Sequence, residues 1–69
     1  MMNEDLKNEI ETVVENLAMI VESGDAPVES ITHFVDTEAW DVARRNPGIE
    51  ESFIKRKIKE GLEEIGLDV

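Results

Sequence analysis

Sixty-nine residues carry seventeen acids against seven bases, a net charge of −10 at neutral pH, and no cysteine. Disulfides and thiolate metal sites are therefore excluded, and the charge balance counts against nucleic acid and anionic membranes as partners of the whole chain. An apolar share of 41% makes this a folding sequence rather than a disordered one.

So short a chain buries only about 60% of the surface its unfolded form exposes, so its core is small. Domains of this size are commonly stapled, and with disulfides absent a partner chain is the staple left open. The longest apolar run, Leu17 to Val21, falls well short of the roughly 20 residues of a membrane span. The start, Met-Met-Asn-Glu-Asp, lacks the basic-then-apolar pattern of a signal peptide. The expectation is one small cytoplasmic helical domain over residues 1–69.

Leu6, Ile10, Val13, Val14, Leu17, Ile20 and Val21 repeat at helical spacing. At 100° per residue they fill an arc of about 120°, with Glu4, Glu11, Glu15 and Glu22 on the opposite side. Asn3 is the expected N-cap, Glu4 and Asp5 suit the positive helix end, and Gly24 supplies the stop. Leu6, Ile10, Val13, Leu17 and Ile20 are also spaced 4, 3, 4, 3, the rhythm of a coiled-coil seam. The stripe therefore has two readings, a core face packed on later helices or a self-association seam.

Gly24-Asp25-Ala26-Pro27 is a turn leading into a helix start, with Pro27 suited to the first helical turn. Val28, Ile31, Phe34 and Val35 give a short second helix over about 27–35. Continuing that helix would turn Trp40 into solvent. The large burial gain of an aromatic predicts a break instead. Asp36 or Thr37 would then cap a third helix, about 37–45, carrying Ala39, Trp40 and Ala43.

Asn46-Pro47-Gly48 ends this region, because the residue before a proline avoids the helical conformation. Ile49 leads into a last helix over about 50–66 with Ile54, Ile58, Leu62 and Ile65 on one face. Gly61 lies on the apolar side of that helix, where glycine costs about 1 kcal/mol against alanine. A close helix crossing is its natural explanation. Gly66 is the expected stop, with Leu67 folding back as a hydrophobic contact. No strand is expected.

The fold class is thus all-α: a three- or four-helix bundle with a long N-terminal amphipathic helix, open to dimerisation.

The materials for catalysis are thin. Nucleophilic catalysis needs a nucleophile beside a base, and the only histidine is His33, on the polar side of its helix with Glu29 one turn before it. One His–Glu pair is too few ligands for zinc. No calcium loop, phosphate loop or dinucleotide fingerprint is present. The expectation is no enzyme, no cofactor and no metal. The leading function is a non-enzymatic protein–protein interaction or regulatory module, acting through an acidic helical surface or self-association, with no small molecule implied.

Charge is unevenly placed. Residues 1–41 hold eleven acids and Lys7 alone, whereas residues 44–59 hold six bases and only Glu50 and Glu51. From Asp41 onward the sequence resembles the helix-turn-helix segment of winged-helix transcription regulators. Ala43 looks like the packing alanine, Gly48-Ile49 like the turn pair, and Ile54 and Ile58 like the buried positions of the recognition helix. Asn46-Pro47 adds one residue to the usual spacing, and Glu50 and Glu51 stand in the early turn of the would-be recognition helix.

Lys55, Arg56 and Lys59 look like the basic residues of that recognition helix, so the resemblance implies nucleic-acid contact through them, and the basic window 44–59 adds Arg44 and Arg45 to the expected contact. Against it stands a reading of that window as a solvated helix laced with Glu51–Lys55, Arg56–Glu60 and Lys59–Glu63 pairs four apart. A further alternative, resting on net charge alone, is an acidic mimic of DNA that blocks a DNA-binding protein.

Overall fold

Three α-helices and one 3-10 turn follow one another in the computed structural model, which describes residues 4–67. They are α1 (Glu4–Glu22), the turn Val28–Ser30, α2 (Ile31–Arg45) and α3 (Glu51–Glu64). The described residues contain no strand. The expected cap at Asn3 lies outside them.

α1 runs most of the 34 Å long dimension of the molecule. It ends as its sequence asks. Asp25 N–H donates to Ile20 C=O and Gly24 N–H to Val21 C=O, both at 3.1 Å. This closes the helix with Gly24 at φ +81°, where a side chain would be strained. α3 ends with the same pair of bonds, Leu67 N–H to Leu62 C=O and Gly66 N–H to Glu63 C=O. Leu67 packs back on the core as expected.

The core is Leu6, Ile10, Val13, Val14 and Leu17 from α1, Ile31, Val35, Ala39 and Val42 from α2, and Ile54, Ile58 and Leu62 from α3. The α1 stripe therefore packs within its own chain. Leu6, Ile10, Val13 and Leu17 are 1–6% exposed, and Ile20 is half-buried against the same cluster. A second copy has no access to that seam unless the core opens.

Gly61 sits where α1 and α3 meet. A Cβ placed on it would lie 2.8 Å from Val14 Cγ2. The glycine is what lets the stiff, β-branched Val14 press against α3.

The expected break at Asp36-Thr37 does not occur. α2 is continuous from Ile31 to Arg45, and both polar residues have partners without capping anything. Thr37 Oγ1 donates to His33 C=O at 3.2 Å, and Asp36 pairs with Lys55 on α3. Continuity keeps Ile31, Val35, Ala39 and Val42 in one fully buried row. Trp40 is the residue that gives way, at 51% exposure, with the Arg44 guanidinium 4.7 Å over its ring. The region expected to begin a helix at Pro27 instead makes a 3-10 turn, and α2 starts at Ile31.

Ile65 is the other departure. It lies one residue past the end of α3, in the turn that closes the helix, and is 54% exposed rather than on the core face.

Candidate interaction surfaces

The outward side of α1 is acidic. Glu4, Glu11, Glu15 and Glu22 are all exposed, and at 100° per residue they fall within an arc of about 40°. No ion pair reaches any of them among the described residues.

Beside this row, α1 and α3 enclose a shallow groove of about 380 Å³. Its floor is Ile10, Val14 and Gly61, with the exposed Ile65 at its edge. Its walls carry Glu11 and Glu15 from α1 and Glu60 and Glu64 from α3, together with Lys7 and Lys57. Lys57 is engaged, 3.5 Å from Glu60 and 5.7 Å from the centre of the Phe53 ring.

The six bases of residues 44–59 scatter in part. Arg45 Nε donates to Glu9 Oε1 at 2.6 Å, which ties the end of α2 to α1. Arg44 lies over Trp40 and 3.8 Å from Asp41. Lys55, Arg56 and Lys59 line a cleft on α3 with Glu51 and Ser52. Lys55 is already paired to Asp36, and that contact raises its pKa and lowers that of Asp36. Of the five residues expected at a nucleic-acid contact, three share a face and two are occupied elsewhere. The expected Glu51–Lys55, Arg56–Glu60 and Lys59–Glu63 pairs do not form among the described residues. Lys55 reaches across to α2, Lys57 takes Glu60, and Arg56 sits 5.7 Å from the Phe53 ring centre.

Glu9 is the most engaged acid. Besides Arg45, Asn46 Nδ2 donates to Glu9 Oε2 at 3.1 Å and to Val42 C=O at 2.8 Å. Partial burial pushes the Glu9 carboxyl up, but the hydrogen bonds from Asn46 and Arg45 and the Arg45 charge outweigh it, so its pKa lies below the ordinary value. A depressed folded-state pKa stabilises the fold above the unfolded value, and the gain is lost as pH falls through the folded value. Glu9→Gln is thus expected to be less stable than the parent chain at pH 7. The difference shrinks below about pH 4.5. Urea denaturation of both chains at pH 7 and pH 3 checks this. An equal difference at both values would show that the clamp is not ionic.

His33 is exposed on α2 as expected. Among the described residues no group of three His, Asp or Glu side chains is placed to hold a metal ion, and no helix is long and apolar enough to cross a membrane.

No known protein family, characterised protein or solved structure matches this chain. The surfaces must therefore be read from their own chemistry. The groove was missed in the sequence because Glu60, Glu64 and Ile65 belong to a different helix from Glu11 and Glu15. Its one sequence signal is Gly61 on an apolar helix face, which marks a close crossing without saying what lines it.

Proposed function

We propose that this chain is a non-enzymatic interaction module, a three-helix bundle that binds a basic protein segment through its acidic surface. One observation carries the reading. α1 commits its apolar side to the chain's own core, and its exposed side holds Glu4, Glu11, Glu15 and Glu22 in a single row without ionic partners among the described residues. Like charges in a row repel one another, and a cationic partner relieves that repulsion and is steered by it. Self-association through Leu6, Ile10, Val13, Leu17 and Ile20 would require the core to open, which favours a different protein as the partner.

Fluorescence anisotropy with a labelled lysine- and arginine-rich peptide tests this. Binding is expected to weaken as salt rises, and to fall about tenfold or more when Glu4, Glu11, Glu15 and Glu22 are all changed to Gln. A chain that ignores the peptide at low salt sinks the reading.

A nucleic-acid reading is second, and the shared face of Lys55, Arg56 and Lys59 is what favours it. In that reading α2, the turn and α3 act as a helix-turn-helix. The presence of Glu51 in the cleft and the commitment of Lys55 to Asp36 count against it. Duplex DNA retarded at low salt, and released when those three bases are neutralised, would put it first.

A further inference from the structure

Resting on the reading above, we infer that the groove between α1 and α3 is the docking site, and that its occupant is one basic amphipathic helix of a partner protein. The groove sets acidic walls from two helices around an apolar floor: Ile10, Val14 and Gly61, with Ile65 half out in solvent at its edge. Its two walls are alike. Glu11 and Glu15 stand four apart on α1, and Glu60 and Glu64 stand four apart on α3. Four residues are about one helical turn. A helix with an apolar stripe, flanked on each side by Lys or Arg four apart, matches floor and walls together.

Charge chooses among occupants. Lys57 is held by Glu60 and Phe53, while Glu11, Glu15 and Glu64 have no ion pair among the described residues. The open charges of the walls are therefore three carboxylates against Lys7. A second copy of this chain, at −10, is repelled, and its most basic helix, α3, is already packed in its own core. Nucleic acid and anionic lipid are repelled for the same reason. An extended peptide would bring a ladder of backbone N–H and C=O groups, and helix walls offer no matching backbone ladder. A helix arrives with its backbone bonds already made.

The experiment uses the full chain and two synthetic peptides of identical composition. One is an 18-residue helix with a leucine stripe flanked by lysines and arginines; the other is its scramble, with no stripe. Titration calorimetry is expected to show the striped peptide binding roughly tenfold or more tighter than the scramble. Glu64→Lys with Glu15→Lys weakens the striped peptide at least tenfold. Ile65→Ser weakens it severalfold while circular dichroism stays unchanged. Glu29→Lys, on the 3-10 turn away from the groove, changes little.

If both peptides bind alike, and Glu4→Lys with Glu22→Lys hurts as much as the groove pair, the acidic module stands and the groove falls. If neither peptide binds, both readings fall. Sedimentation showing a dimer that Ile65→Ser dissociates would replace the partner helix with a second copy and overturn the inference.

Discussion

Glu38→Pro is expected to cost about 3 kcal/mol or more in urea denaturation. Residue 38 lies in the middle of α2, Ile31–Arg45. There a proline removes one backbone hydrogen bond and drives its ring into the carbonyl one turn back. A domain of this length has a total stability of roughly 3–10 kcal/mol, so the loss is a large share of the whole. The same substitution discriminates between two architectures. If Thr37 capped a separate helix, residue 38 would be its first position, where proline is well tolerated. A Glu38→Pro chain as stable as its parent would therefore show that α2 is broken at Asp36-Thr37 after all.

The break was expected from Trp40, and the reason it fails is instructive. A local reading weighs the burial gain of one tryptophan against solvent. The fold weighs it against four side chains, Ile31, Val35, Ala39 and Val42, which are all fully buried only if the helix runs through. Their spacing of 4, 4 and 3 was legible, but Asp36 and Thr37 looked like a cap because side chains of that type compete for backbone groups. Here each has another partner. Thr37 bonds back to His33 within its own helix, and Asp36 is claimed by Lys55, nineteen positions away in sequence. No window of local sequence contains that second pairing.

Elements whose signals are local were readable: the α1 stripe, the stop at Gly24, the turn at Asn46-Pro47-Gly48 and the return of Leu67. Gly61 was half readable. Its presence on an apolar face implied a crossing, but only the packed helices show that Val14 is what it admits. The candidate site was less legible than the fold. The acidic row of α1 follows from one helix wheel, whereas the groove beside it is made by two helices and exists only once they meet. Ionic partners were least legible of all. Glu9 with Arg45 and Asn46 spans most of the first two helices, and long flexible side chains choose among several partners of similar energy.

Ile58→Ala and Ile65→Ala are expected to separate by several kcal/mol, though periodicity places both residues on one helix face. Ile58 is fully buried in the cluster that joins all three helices. Truncating it removes the transfer free energy of its lost methyl and methylene groups and leaves a cavity, for a loss of about 2–5 kcal/mol. Against a total of roughly 3–10 kcal/mol that loss is a large share of the fold's stability. Ile65 is 54% exposed and lies beyond the last turn of α3. Its truncation forms no closed cavity and falls within about 0.5 kcal/mol of the parent, as surface changes do. Denaturant midpoints of the two variants, with equal slopes, measure the gap. Equal losses would mean that α3 continues past Glu64 and turns Ile65 inward, and the groove between α1 and α3 would then have lost its exposed edge.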